Sequence, residues 1–406
     1  EARSAAAANL DCFVAMPGLE GERREAVLVE LDVPFGTELV HYAVGIASCG
    51  VPGLPAGLEE LWRRHGRLDW RRLVEPALRL ARSGVEFPPA HAACLQMLAP
   101  VLTMNEGARI YAPGGALLTA GGTLEQPGLV SALELVANEG ASSVYRGSLA
   151  EALLRLMAAR GGLVTRADLE SYSPRWSEPV EVPYLGLRIL TRADLSALPE
   201  TLPALPRLQG ASEAERAVAL ARAFDRGRPD TPGDTTNLTV VDGEGNACVL
   251  TSSLGLGSGD FLPGLDLHLN SMLGEADLVR GSLEPGERMG SMMAPSLALE
   301  DGRLVLAAGA AGGTRLRSAL VQVLAAVLDE QLAPEAAVAR PRLHAARGRV
   351  QLEPGFGEAA LAALEGAGFA VSVWPARHHF FGGVSLVTAT GAAGDPRRSG
   401  AAALAP

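Results

Sequence analysis

Asp225-Arg226-Gly227-Arg228-Pro229-Asp230-Thr231-Pro232-Gly233-Asp234-Thr235-Thr236-Asn237-Leu238-Thr239-Val240-Val241 is the stretch on which the fold of this chain turns. Up to Asp234 it offers charged, Pro and Gly residues and nothing that could pack, which predicts an exposed, extended linker. From Thr236 to Val241 the residues become β-branched and apolar, which predicts a strand. A turn at Asp242-Gly243-Glu244-Gly245 and a second run from Asn246 to Ser252 complete a β-hairpin. Thr235 therefore stands behind a flexible approach and at the head of a rigid strand.

That placement has a chemical reading. A threonine hydroxyl is a poor nucleophile until a base removes its proton, and one solution makes the Thr the first residue of a chain, so that its own α-amine is the base. For an internal Thr the peptide bond before it must be cut, here Asp234–Thr235. The plain alternative is a β-branched residue opening a strand.

Working outward, the segment before Asp234 is mostly helical. Val27, Val29, Leu31 and Val33 alternate as in a strand. Helical spacing follows around Gly57–Trp62 and from Trp70 to Ser83, ending at Gly66 and Gly84. Pro127–Glu139 and Ser148–Arg160 are two more amphipathic helices, and Thr165-Arg166-Ala167-Asp168 is a capping box opening a short one. Ser177 to Arg192 reads as strands, and Ser212 to Asp225 as a helix. Beyond the hairpin come a strand at Arg303–Ala308, the run Gly309-Ala310-Ala311-Gly312-Gly313, and a helix from Thr314 to about Asp329. A helix at Pro334–Ala339, a strand at Arg349–Leu352, a helix at Glu358–Glu365 and strands at Phe369–Val373 and Gly382–Thr388 follow. With no dinucleotide fingerprint, this alternation favours layered α/β packing.

Composition narrows the function classes. The chain has 406 residues and 48% hydrophobic content, enough for two or three domains or one large layered unit. All 35 basic residues are Arg, dispersed along amphipathic stretches, and the net charge is −11. A nucleic-acid partner is not expected, because phosphate binding needs clustered cations. Cys12, Cys49, Cys94 and Cys248 show neither disulfide nor metal spacing, and Cys248, inside Ala247-Cys248-Val249-Leu250, is expected to be buried. His378-His379, if in a strand, would point to opposite faces and hold no metal. No apolar run is long enough to span a membrane. Glu1–Ala8 lacks the apolar core of a signal peptide and there is no initiating Met, so a processed or trimmed start and, by default, a cytoplasmic location are expected.

The stretch Gly233-Asp234-Thr235-Thr236-Asn237-Leu238-Thr239-Val240-Val241-Asp242, with Gly245-Asn246-Ala247 and Gly257-Ser258-Gly259, resembles the start of the small subunit of the γ-glutamyltransferases, N-terminal-nucleophile hydrolases. Further matches follow in that family's order: Leu269-Asn270-Ser271-Met272-Leu273-Gly274-Glu275, Pro285-Gly286-Glu287-Arg288, Ser291-Met292-Met293-Ala294-Pro295, Gly309–Gly313, Phe380-Phe381-Gly382-Gly383-Val384 and Gly394-Asp395-Pro396-Arg397-Arg398. Upstream, Gly50-Val51-Pro52-Gly53 and His65-Gly66-Arg67-Leu68 are similar to the large subunit.

The resemblance implies a four-layer αββα sandwich. It divides the chain into a large-subunit-like segment, 1–234, and a small-subunit-like segment, 235–406, interleaved in one domain and remaining together as a heterodimer after cleavage. Thr235 would be the nucleophile, both for self-cleavage and for attack on the γ-amide carbonyl of a small-molecule donor. Ser253 would orient it. Gly312 and Gly313 would present N–H groups to the oxyanion, donors worth about 3 kcal/mol each in the transition state. Ser291, with Met292 beside it, would meet the donor's α-carboxylate, and Asn270 and Glu275 would lie in the loop around the glutamyl group. No cofactor or metal is implied, since the amine is the base and backbone amides receive the charge.

Three departures weaken glutamate recognition. Glu30, in Glu30-Leu31-Asp32-Val33-Pro34, stands where the family has the Arg that clamps the α-carboxylate, and losing that clamp costs energy and orientation. Glu275 alone replaces a pair of Asp residues that hold the α-amine, and Gly255 replaces an Asn. Asn9-Leu10-Asp11-Cys12-Phe13 stands where a Gly-rich segment belongs. The expectation is hydrolysis with poor transpeptidation. Two other readings stay open: a degenerate, non-catalytic relative, and an acylase for another side-chain amide.

Overall fold

The computed structural model describes residues 6–20, 27–35, 38–192, 194–226, 235–275, 278, 283–313 and 315–405, without the side chains of 34, 35 and 38–40. The linker expected at 227–234, with Asp234, and Thr314, expected to open the helix, lie outside the described residues. The chain forms two compact units. One is built from Glu1–Asn9, Glu178–Ser253 and Ser291–Pro406, the other from Leu10–Ser177 and Leu254–Gly290. Residues from before and after position 235 occur in each.

The unit that holds Thr235 is organised around a six-stranded antiparallel sheet. Its order is Gly391–Ala393, Gly383–Thr388, Arg303–Ala311, Ser296–Glu300, Leu187–Thr191 and Val180–Tyr184. The last two strands precede residue 235 and the other four follow it. Alternation gives Arg303–Ala311 and its neighbour Gly383–Thr388 unlike faces. Leu306, Ala308 and Ala310, opposite Thr388, Leu386 and Val384, are fully buried. The helix Arg315–Leu328, itself lined by buried Leu316, Ala319, Leu320 and Val323, packs on these two strands. Gly309 and Ser385, directly opposed, point the other way, toward the hairpin Thr236–Val241/Ala247–Ser252. Helix, sheet and hairpin form three successive layers.

The hairpin is placed by its own alternation. Asn237 and Thr239 face the sheet, while Leu238 and Val240 are exposed on the outer side. Cys248 pairs with Val240 and shares that outer side. Its expected burial is therefore corrected: it is exposed, because an apolar run read as a strand still has two faces. The strand expected at Arg303–Ala308 runs on to Ala311, so Gly309 belongs to the sheet and only Gly312 and Gly313 form the turn into the helix.

The second unit is largely helical, and its element bounds agree with the periodicity: Trp70–Ser83, Pro127–Glu139 and Ser148–Arg160 are helices, and Thr165 closes a capping box with Asp168. Ile46, Cys49, Val51, Leu153, Leu156, Met157 and Leu169 make its main core. A hairpin, Val29–Phe35 with Glu38–Val44, packs through Val33, Tyr42 and Val44 on Leu98, Val101 and Leu256. Among the described residues no helix is long and apolar enough to cross a membrane.

Candidate active site

The hairpin register sets the first relationship. Thr236 pairs with Ser252 and Asn237 with Thr251. Continued by one residue, the register puts Thr235 opposite Ser253, and directly opposed residues in an antiparallel pair share a face. That face is the inner one, which carries Asn237 and Thr239. Thr235 is buried and Ser253 partly so.

A polar seam fastens the hairpin to the sheet. Asn237 Nδ2 donates to Thr251 Oγ1 at 2.8 Å and to the Leu250 carbonyl at 3.1 Å. Ser385 Oγ donates to Asn237 Oδ1 and lies 2.8 Å from Thr239 Oγ1. Beneath Asn237 the sheet has no side chain at all. A Cβ on Gly309 would fall 2.0 Å from Asn237 Nδ2 and 2.9 Å from Val249 Cγ1.

Three residues past Gly309 the same strand ends, and the chain turns through Gly312 (φ 133°) and Gly313 (φ 59°). Neither N–H donates to a described residue. A Cβ on Gly312 would meet Gly382 Cα at 2.8 Å and Arg398 Nη2 at 3.4 Å, so the turn is pressed against Gly382 with a guanidinium beside it. Arg315, just inside the following helix, is buried with its guanidinium 4.2 Å above the Phe380 ring. Two amides with cations nearby suit a developing negative charge.

The turn is supported from behind by buried charges. Arg342 donates to the Gly382 carbonyl at 3.0 Å and pairs with Asp395, which also accepts the Val384 N–H at 3.0 Å. Arg397 bridges Asp395 and Glu353. Burial works to raise the Asp395 carboxyl, but Arg342 and Arg397 hold it below its ordinary value. Burial brings the Arg342 guanidinium down to about 10.

Ser291 is almost fully buried, and most of its hydrogen-bonding capacity is already engaged. Its N–H donates to Asp194 Oδ2 at 2.7 Å, its carbonyl accepts the Leu195 N–H at 3.0 Å, and its Oγ accepts the Met293 N–H at 3.2 Å. Met292 follows it, partly exposed. Asp194 has φ 112°, a setting that costs a non-Gly residue about 1–3 kcal/mol. No motif or periodicity marks Asp194, which lies between the strands read up to Arg192 and the Pro- and Leu-rich run from Ala197. Arg398 and Arg315 were also missed as neighbours of the turn.

Asn270 and Glu275 belong to the other unit. Asn270 holds the Gly50 backbone from both sides, accepting its N–H at 2.9 Å and donating to its carbonyl at 2.9 Å. It thus fixes the Gly50-Val51-Pro52-Gly53 corner. Glu275 is buried, and its Oε1 would lie 2.9 Å from a Cβ on Gly255, which has φ 71°. Glu30 lies exposed on its hairpin, 3.7 Å from His41.

His378 and His379 do not lie in a strand, so the opposite-face geometry of a strand does not apply to them. His379–Phe381 is a short 3-10 turn capped by the His378 ring, and the two rings lie 4.0 Å apart instead of on opposite faces. Among the described residues no group of three His, Cys, Asp or Glu could hold a metal.

The sequence profile described as Gamma-glutamyltranspeptidase matches residues 35–218 and 209–405. An acylase ACY 1 proenzyme from Pseudomonas sp. (strain SE83) is 29% identical over 423 residues, covering 89% of this chain and 76% of its own length. A glutathione hydrolase proenzyme from Pseudomonas aeruginosa is 28% identical over 372 residues, covering 74% and 66%. A solved cephalosporin acylase from Bacillus halodurans superposes with a TM-score of 0.79 over 98% of this chain and 84% of its own, at 22% identity. That likeness shows the fold, and with it the layered αββα class expected from the sequence. With the family profile covering nearly the whole chain, this protein belongs to the gamma-glutamyltranspeptidase family of hydrolases and acylases.

Proposed function

We propose that this chain cuts itself before Thr235 and then hydrolyses the amide of a γ-glutamyl or related acyl donor through an ester on Thr235 Oγ1. The freed α-amine of Thr235 takes the hydroxyl proton as Oγ1 attacks the donor carbonyl, and the oxyanion is received by the Gly312 and Gly313 amides. The amine returns the proton to the leaving nitrogen, and water then cleaves the ester. Ser253 holds the hydroxyl in line. The six-stranded sheet, with strands from both sides of position 235, keeps the two fragments together as a heterodimer.

The opposition of Thr235 and Ser253 on the inner face of the hairpin carries this reading. The relatives named as proenzymes support the cleavage. A second reading, an acylase for another side-chain amide, is favoured by Glu30 in place of the clamp Arg and by the acylase relatives. In both, hydrolysis exceeds transfer to an acceptor. The test incubates processed protein with γ-glutamyl and unsubstituted acyl p-nitroanilides. Release of nitroaniline by the cut protein, and none by a Thr235→Ala variant, is the expected result. Proven cleavage with no release from any donor contradicts it.

A further inference from the structure

Asp194 stands out because it is strained and at the same time bonded to a residue assigned to substrate. Its φ of 112° is a setting that L side chains rarely adopt, and it is kept where the surrounding structure enforces it. What the strained backbone achieves is visible: the carboxylate reaches the Ser291 N–H at 2.7 Å, and the next residue, Leu195, bonds the Ser291 carbonyl at 3.0 Å. Residues 194 and 195 thus hold Ser291 from both sides. With its N–H on Asp194, Ser291 has, among the described residues, only its hydroxyl hydrogen left to offer a ligand.

We propose that Asp194 is a specificity-determining residue whose carboxylate takes the position a donor's own carboxylate would fill at Ser291, so that the preferred acyl group carries no carboxylate there. This rests on the reading of Ser291 as a substrate residue. The charge logic is direct. A donor carboxylate brought to the Ser291 amide meets an anion already bonded to it, and like charges at contact are strongly disfavoured. Arg192, 3.5 Å from Asp194, has its charge answered by the same carboxylate. The absence of the clamp Arg at Glu30 points the same way: the chain lacks one carboxylate receptor and has filled another. The acyl group that fits is neutral or cationic at its tail, such as 4-aminobutyryl, the γ-glutamyl group without its α-carboxylate.

The test compares γ-glutamyl and 4-aminobutyryl p-nitroanilides on the processed wild type, on Asp194→Asn and on Asp194→Gly, the last relieving the strain as well. Wild type is expected to prefer 4-aminobutyryl in kcat/KM by about tenfold or more, and both variants to shift the ratio toward γ-glutamyl by a similar factor. A ratio unchanged in both variants, or a wild-type preference for γ-glutamyl, overturns the assignment. Calorimetric binding of L-glutamate and 4-aminobutyrate to the same proteins reads the pocket without turnover. Tighter 4-aminobutyrate on wild type, with glutamate gaining on Asp194→Gly, supports the proposal; equal changes for both ligands overturn it. Binding discrimination without hydrolysis removes the hydrolase reading and keeps Asp194's role, while hydrolysis with an unmoved ratio does the reverse.

Discussion

Asn237 occupies the space where Gly309 would carry a side chain: a Cβ there would stand 2.0 Å from its amide nitrogen. The strand that follows Thr235 therefore lies on the sheet at a distance only glycine permits. Since Asn237 is also bonded to Thr251 and Ser385, anything that lifts it lifts the head of the hairpin.

Gly309→Ala is expected to destabilise the protein by about 1–3 kcal/mol, as overpacking does, and to slow cleavage before Thr235 at least tenfold. Thermal melting and the rate at which two fragments appear on a denaturing gel check it. A variant that melts and cuts like wild type contradicts the packing described here.

Ser253 is partly exposed at the hairpin end, so its removal costs little stability. Ser253→Ala should lower kcat by roughly 10²-fold with an unchanged Tm, and Ser253→Thr should recover most of it. Loss of stability in place of activity would assign Ser253 a structural role.

The charges behind the glycine turn act as one unit. Asp395→Ala leaves Arg342 and Arg397 buried with Glu353 as their remaining acidic partner, and breaking such a group costs about 3–5 kcal/mol. Urea denaturation is expected to show this loss, together with reduced turnover, because Arg342 no longer holds the Gly382 carbonyl against the turn.

His268 gives a pH signature. Burial brings its pKa down to about 4 from 6.5. Its Nε2 accepts the Gly259 N–H at 3.0 Å and its ring stacks on Phe261, an arrangement that needs the neutral imidazole. Below pH 6.5 the unfolded chain binds a proton that the folded one refuses, so stability falls as pH drops from 6.5 to about 4, by up to about 3 kcal/mol. His378, also lowered by burial, adds in the same direction. Denaturation midpoints at pH 6.5, 5.5 and 4.5 should decline, and less steeply for His268→Gln.

Local signals made much of this fold legible. The hairpin after Thr235, the capping box at Thr165 and the helices ending at Gly140 and Gly161 follow from alternation, caps and periodicity within a few residues. What stayed hidden depends on distant partners. Ser296–Glu300 becomes a strand by lying between Leu187–Thr191 and Arg303–Ala311. Pro89–Leu102 contains Pro100 and carries apolar residues around much of its circumference, so no stripe marks it. For the candidate site, motif order points to Thr235, Ser253 and the glycine turn. Asp194 could not be found that way, since its role comes from a backbone angle and one long-range hydrogen bond.

Intact-mass spectrometry of the mature wild-type protein tests the central claim most directly. Two fragments are predicted, the smaller beginning with Thr235 and the pair together heavier than the uncut chain by one water. A single unbroken polypeptide with Thr235 still joined to Asp234 would contradict the account.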